Sequence, residues 1–377
     1  MKLAIPKERS DGETRVAASP ETVKKLAGLG IDVVIETGAG DAAALPDKQF
    51  EEAGAKIGAS LDETLKDADL VFKVRPPSDE ELGMMKKGAV LAATLNPYDN
   101  KDRLKQYAAQ GIVAFSMELM PRITRAQSMD VLSSQSNLAG YKGVVNAAAH
   151  YGRALPMMMT AAGTIAAARC FVMGVGVAGL QAIATARRLG AVVSATDVRA
   201  ATKEQVESLG ATFVMVESEE SGDAEGGYAK EMSEDYQRRQ AELVASHITK
   251  QDLVITTALI PGRPAPRLIS EEMVKTMKPG AIIVDLAAER GGNCELTEAG
   301  QIVKKHGVTI IGELNLPGQL ATDASALYAK NLFNFITPHF DKESGQLKID
   351  WEDETVTGTA LTRDGQVIHP SFTEGGN

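Results

Sequence analysis

Residues 169–197 decide the fold. They read Arg169-Cys170-Phe171-Val172-Met173-Gly174-Val175-Gly176-Val177-Ala178-Gly179, continue through Leu180 to Gly190, and reach Val192-Val193-Ser194-Ala195-Thr196-Asp197. The apolar run at 170–173 predicts a buried strand, and Ala178–Leu189 predicts a helix closed by Arg187, Arg188 and Gly190. Val192–Thr196 predicts the next strand. Between the first strand and the helix stands Gly174-x-Gly176-x-x-Gly179. Alone, three spaced glycines are a weak signal, since an ordinary turn uses them too. The strand–turn–helix–strand setting, with Asp197 placed 23 residues after the first glycine, makes the signal specific for a dinucleotide. Glycines allow the tight turn and the close approach of a pyrophosphate, whose charge suits a helix N-terminus. The Asp197 carboxylate would accept hydrogen bonds from ribose hydroxyls and repel a 2′-phosphate, favouring NAD(H) over NADP(H). Arg199, two residues on, could soften that discrimination.

The same alternation runs outward in both directions. Downstream, strands are expected at Phe213–Val216, Leu253–Thr256, Ala281–Asp285 and Thr309–Ile311, with helices near 200–209, 233–248 and 270–277. Upstream, strands at Leu3–Ile5, Ile31–Ile35, Leu70–Val74, Val90–Leu95 and Ile112–Met117 alternate with helical stretches, the first opened by Ser19-Pro20-Glu21. Such alternation predicts an α/β protein with mostly parallel sheets covered on both faces. A helix from Asp323 towards Phe335 returns the chain to the first domain. The expected organisation is therefore two doubly wound Rossmann-like domains, the second (134–322) inserted into the first (1–133 plus 323–377). In the tail, Leu347–Trp351 and Thr355–Thr362 alternate like strands, and Arg363-Asp364-Gly365 signals a C-terminal β-hairpin. Glu217–Gly227 is polar and aperiodic, which predicts a mobile surface loop.

Composition narrows the function classes. The 377 residues suit two domains, and the net charge of −10 argues against a nucleic-acid binder or a polybasic membrane anchor. Cys170 and Cys294 cannot form a disulfide framework, which suits a reducing cytoplasm, and the charged N-terminal residues lack a signal core. From Ala154 to Ala186 the only charge is Arg169, but Pro156 and four glycines break the roughly 20-residue run a spanning helix needs. That stretch is expected to be buried strand, turn and helix. The five histidines and two cysteines show no metal-ligand spacing, so no metal is expected. A second glycine pair, Gly38-Ala39-Gly40-Asp41-Ala42-Ala43, would aim Asp41 at a phosphate, and Pro46 interrupts the helix that should follow. One dinucleotide per chain is the expectation.

Several further motifs carry a resemblance. Ile5-Pro6-Lys7-Glu8-Arg9, Glu13-Thr14-Arg15-Val16-Ala17, the segment Pro121–Tyr141, the glycine fingerprint, Gly226-Gly227-Tyr228-Ala229-Lys230 and Thr256–Pro266 resemble the alanine dehydrogenase and nicotinamide nucleotide transhydrogenase family over essentially the whole chain. Within it the chain is similar to the NAD(H)-binding component of proton-translocating transhydrogenases. The resemblance implies that Pro121–Asp130 is a hydride-transfer loop, with Arg122, Gln127, Asp130 and Ser133 as its working residues. It makes Glu217–Gly227 a closing lid with Tyr228 at its edge. Cofactor contacts are implied at Arg122, Ile123, Thr124, Gln127, Gly174, Val175, Gly176, Val177, Gly179, Asp197, Val198, Arg199, Gly227, Gln240 and Leu259. Implied too are NADP(H) on a partner component, a separate membrane-spanning component for the proton path, and a homodimer through the 347–369 hairpin. The expected location is peripheral, on the cytoplasmic face of the inner membrane. Direct hydride transfer needs no nucleophile or metal, and an amide, a carboxylate and a hydroxyl can fix a nicotinamide carboxamide. Without the resemblance, the same residues read as a solvated helix start.

Two rivals remain. An alanine-type dehydrogenase must move a proton as well as a hydride, usually through histidine. Relatives of that type carry a Leu-His pair where this chain has Leu95-Asn96-Pro97. Arg15 and Lys73 do match their substrate-binding positions, while Glu289 replaces their active-site aspartate. A non-catalytic NAD sensor would need the fingerprint but not the Arg122–Gln127–Asp130 set.

Overall fold

Parallel pairing dominates both halves of the chain. The computed structural model describes residues 1–216, 232–260 and 262–373. It divides into two units, Met1–Gln135 with Gly318–Asn377, and Ser136–Pro317.

In the first unit, β1 (Lys2–Ile5), β2 (Asp32–Glu36), β3 (Lys56–Gly58), β4 (Leu70–Phe72), β5 (Val90–Ala93) and β6 (Val113–Ser116) form one sheet in the order 3-2-1-4-5-6. Every pairing in it is parallel. The pleat sorts its side chains. Leu3, Ile5, Leu70, Phe72, Val90 and Ala92 join one core cluster with Phe115, Tyr328 and Phe335, while Ala4, Val71, Leu91 and Ala93 join another with Leu65 and Tyr107. Burial on both faces is why these strands read as unbroken apolar runs. The first helix, α1 (Pro20–Gly28), starts where Ser19 accepts the Thr22 N–H ahead of a first-turn proline.

Helices α2 (Asp47–Glu52), α3 (Leu61–Leu65), α4 (Asp79–Met84) and α5 (Lys101–Gln110) complete this stretch, and α6 (Val131–His150) carries the boundary between the units. The sequence reads only as a polar helix start near Asp130, with no extent for the helix, because the mixed small residues of 131–150 show no apolar stripe. Small size has a use at Gly140, where a Cβ would lie 2.1 Å from the Ala178 carbonyl oxygen.

The second unit holds β9 (Arg169–Met173), α7 (Val177–Arg188), β10 (Val192–Thr196), α8 (Thr202–Ser208), β11 (Thr212–Phe213), α9 (Glu234–Ile248), β12 (Leu253–Thr256), α10 (Glu271–Thr276), β13 (Ile282–Asp285), β14 (Ile302–Lys305) and β15 (Val308–Ile311). Sheet order is 11-10-9-12-13-15-14, parallel except for β14 against β15. β10 and β12 flank β9 on opposite sides, so the carboxyl end of β9 is the switch point where α/β sheets open a crevice.

Two expectations need correction. The stretch read as buried includes β7 (Met158–Thr160) and β8 (Gly163–Ile165), an antiparallel hairpin whose residues are all exposed. Thr355–Thr362, read as a strand, is mostly α12 (Glu354–Thr359). Asp353 caps that helix by accepting the Thr355 N–H, which overrides the β-propensity of Thr355, Val356 and Thr357. Strand character near 347 is confined to Gln346–Leu347. The Asp364-Gly365 turn does join Thr362–Arg363 to Gln366–Val367 as an antiparallel pair. Before them, α11 (Ala321–Ile336) belongs to the first unit. No helix among the described residues is long and apolar enough to cross a membrane.

Candidate functional site

Backbone geometry at Gly174–Gly179 explains its residue types. Gly174 sits at φ +96°, where side chains are strained, and a Cβ there would lie 2.7 Å from Thr257 Oγ1. A Cβ on Gly179 would lie 1.9 Å from the Gly174 carbonyl oxygen, so α7 could not start so close to β9. At Gly176 nothing among the described residues lies within 4 Å of a Cβ, which leaves the first turn of α7 open for an anion. Val177, the first residue of α7, is exposed beside it.

Asp197 stands at the end of β10, and its Oδ2 accepts the Val175 N–H at 2.7 Å. Arg199 grips the same carboxylate, donating Nε to Oδ1 at 2.8 Å and Nη2 to Oδ2 at 2.7 Å. Ribose hydroxyls can reach this carboxylate only where Arg199 yields a place. A guanidinium committed to Asp197 is also poorly placed to serve a 2′-phosphate. Gln240, on α9, donates to Thr196 Oγ1 at 2.8 Å, while its Oε1 is buried without a hydrogen-bond partner among the described residues. An orphaned acceptor beside the end of β10 is what a missing donor, such as a cofactor hydroxyl, would satisfy. Fingerprint, Asp197, Arg199 and Gln240 therefore fit an NAD(H) molecule. Val198 packs against the small cluster of Val216, Met232 and Tyr236. Leu259 is 49% exposed in the loop after β12. That loop is fixed by buried Asn293, which pairs with both the N–H and the carbonyl of Ala258. Gly227, Tyr228 and the expected lid lie outside the described residues.

The polar loop belongs to the first unit. Thr124–Met129 forms a 3₁₀ turn with Ala126 and Met129 buried, leaving Arg122, Thr124 and Gln127 exposed and Ile123 half-buried. Asp130 then starts α6, its carboxylate accepting the Ser133 N–H at 2.9 Å and the Ser133 hydroxyl at 2.5 Å. Asp130 and Ser133 are thus brought together as a helix cap, the role their residue types suggest without the family resemblance.

Arg15 and Lys73, the two cations shared with dehydrogenase substrate positions, are engaged internally. Lys73 is buried, 2.8 Å from Glu81 and 3.4 Å from Glu8. Arg15 pairs with Glu13 at 2.7 Å and donates to Gln135. Burial works against the Glu13 charge, yet hydrogen bonds from Arg15 and the charges of Arg15 and Arg75 bring its carboxyl down to about 2. Burial pushes Glu8 up, with Lys73 opposing. The Asn96 side-chain amide cannot take up a proton as a base would, and Glu118 pins the backbone there by accepting the Leu95 and Asn96 main-chain N–H groups. The second glycine pair is closed as well: a Cβ at Gly40 would lie 2.2 Å from the Leu45 carbonyl oxygen, and Asp47 takes the Gly38 N–H. Burial raises both thiols, which argues against nucleophilic use of Cys170 or Cys294. Among the described residues no His/Cys/Asp/Glu group could hold a metal ion.

A Rossmann fingerprint joined to this polar loop defines a family, and the chain belongs to it. Residues 4–139 match the N-terminal domain of alanine dehydrogenase/PNT, and residues 143–370 match its C-terminal domain. The chain is 57% identical over 380 residues to the first of the polypeptides that make up NAD(P) transhydrogenase subunit alpha in Rhodospirillum rubrum, with 99% of each covered. The crystal structure of transhydrogenase from Sinorhizobium meliloti is similar with a TM-score of 0.89 at 56% identity, covering 98% of this chain and all of that one. An alanine dehydrogenase of Mycolicibacterium smegmatis is more distant, 28% identical over 98% of this chain and 95% of its own.

Proposed function

We propose that this chain is the NAD(H)-binding component of a proton-translocating transhydrogenase, passing a hydride directly from NADH to NADP⁺ held on a partner component. The observation that carries the reading is the loop around Gln127, which presents amide and guanidinium groups and no histidine, its one carboxylate, Asp130, being taken up by Ser133, in a chain whose close relatives are named transhydrogenase subunits. The reaction NADH + NADP⁺ → NAD⁺ + NADPH moves a hydride and no proton, so a missing histidine after Leu95 costs nothing here. Gly174, Val175, Gly176, Val177 and Gly179 receive the pyrophosphate, and Asp197, Val198, Arg199, Gly227, Gln240 and Leu259 the adenosine end. Arg122, Ile123, Thr124 and Gln127 orient the carboxamide, Asp130 and Ser133 fix the start of α6, and Tyr228 belongs to the closing segment.

Mixed with an NADP(H)-binding component, the protein is expected to reduce NADP⁺ from NADH, and alanine is expected to reduce no NAD⁺. Asp197→Ala should raise the NADH dissociation constant about tenfold or more by removing charge-assisted hydrogen bonds, with little change in the saturated rate. No exchange with a competent component would sink the reading, and alanine-dependent NAD⁺ reduction would favour the dehydrogenase.

The proton path and membrane attachment, on the cytoplasmic face, fall to membrane-spanning partner subunits in this reading. A second copy of the chain is the further partner. Leu347, Ile349, Trp351 and Ile368 pack on their own core, which leaves the 347–369 tail little apolar surface to offer. The β7–β8 hairpin is the better face: Met157 and Met159 are 57% and 78% exposed, and an isolated two-stranded hairpin is barely stable in water. Met159→Glu should then lower the mass seen by analytical ultracentrifugation to that of one chain, and an unchanged mass would exclude this face.

A further inference from the structure

We infer that Asn331, Asn334 and Asp353 are positioning residues for hydride transfer, holding the Pro121–Asp130 loop from segments that follow it by about 200 residues. The inference rests on the reading of that loop given above and adds what keeps it in shape.

A 3₁₀ turn has poorer hydrogen-bond geometry than an α-helix, and Thr124–Met129 has no side-chain cap at its start. Its restraint comes from elsewhere in the same unit. Asn331 and Asn334 stand three residues apart on α11, hence on one helix face, and both donate Nδ2 to the Ser128 carbonyl at 2.9 Å. Asn331 Oδ1 also accepts the Ser134 hydroxyl at 2.8 Å, so one amide ties the end of the loop to the first turn of α6. Asn331 is 6% exposed and lies among Tyr328, Leu332 and Phe335, where a leucine would pack as well if packing were its only duty.

The outer side of the loop is gripped too. Arg125 makes a two-pronged contact with Asp353, both N–H···O distances 2.8 Å, and Asp353 simultaneously caps α12. α12 reaches the start of the loop, since a Cβ on Gly358 would lie 3.0 Å from Pro121 Cδ. Pro121, Arg125 and Ser128 are therefore each held, and Ala126 and Met129 are sunk in the core. The residues between them, Arg122 and Gln127, are left facing out with their backbones fixed. Ring-to-ring transfer is sensitive to misplacement near 1 Å, which can cost about 100-fold in rate.

The test is single-turnover hydride transfer by stopped flow, using the full chain with NADH and an NADP⁺-loaded partner component. NADH affinity and thermal melting are measured alongside. Asn331→Asp keeps the shape and the acceptor for Ser134 but turns a donor to Ser128 into a carboxylate, and should slow transfer at least tenfold. Arg125→Ala, which leaves Asp353 capping α12, should do likewise, and Arg125→Lys, which keeps a cation facing Asp353, should recover to within about threefold of the parent. NADH affinity should stay within twofold throughout. Variants that melt earlier yet transfer at the parental rate would overturn the inference, as would an Arg125→Lys no better than Arg125→Ala. Gln127→Asn is the control on the underlying reading: if it too transfers at the parental rate, the loop itself has been misread.

Discussion

Gln127→Asn is expected to slow hydride transfer about 100-fold in the assembled complex, while NADH affinity changes less than twofold. Shortening the side chain by one methylene withdraws the amide from a backbone that cannot follow it. That backbone is anchored on both sides, by buried Ala126 and by buried Met129. Affinity should survive because the proposed grip on NADH is the pyrophosphate and ribose contact of the Gly174–Gly179 turn and Asp197, in the other unit. Stopped-flow transfer and equilibrium NADH titration separate the two effects. A matched fall in affinity with transfer unchanged would make Gln127 a simple binding residue and remove it from the chemistry.

Legibility in the sequence followed the range of the interactions involved. The fingerprint could be read because all its elements are local: a strand of period two, a glycine turn, a helix and a carboxylate at the next strand end. Strands β9, β10 and β12 stand where the apolar runs placed them for the same reason. Only the polar start of helix α6 was legible, because close helix contact at Gly140 selects small residues and erases the apolar stripe. Competition between an aspartate cap and a run of β-branched residues hid α12. The exposed β7–β8 hairpin imitates buried sequence, since both lack charge. Gln127 and Arg122 were found through family resemblance alone, as polar residues on a turn carry no intrinsic signal. Nor could Asn331 and Asn334 have been paired with Ser128, since no spacing rule links positions so far apart.

Lys73→Met is expected to cost about 3–5 kcal/mol of folding stability, because it strands buried Glu8 without its cation and leaves buried Glu81 only Arg9, at 3.5 Å. Lys73 and Glu81 are each about 1% exposed, and Glu8 is buried beside them. Glu81 is also the residue that closes the capping box of α4, so its charge is held at the start of that helix. The size of the loss distinguishes two accounts of the same residue. A lysine kept to hold a substrate carboxylate would leave stability nearly unchanged when removed and would lower activity. A lysine holding β4, α4 and the segment after β1 together should do the reverse, with transfer by the folded fraction close to parental. Urea unfolding with an unchanged slope gives the stability difference directly. The pH dependence fixes its origin. Burial already raises the Glu8 pKa while Lys73 opposes it, so removing the lysine raises it further. A group with a raised folded pKa favours the fold below its unfolded pKa and loses that contribution as pH rises through the folded value. The deficit of the variant should therefore shrink as pH falls from 7 towards 5, and Glu8→Gln added to Lys73→Met should recover some of it at pH 7. A deficit below about 1 kcal/mol, or one that does not depend on pH, would show that water reaches these carboxylates and that the cluster is not the buried tie it is taken to be.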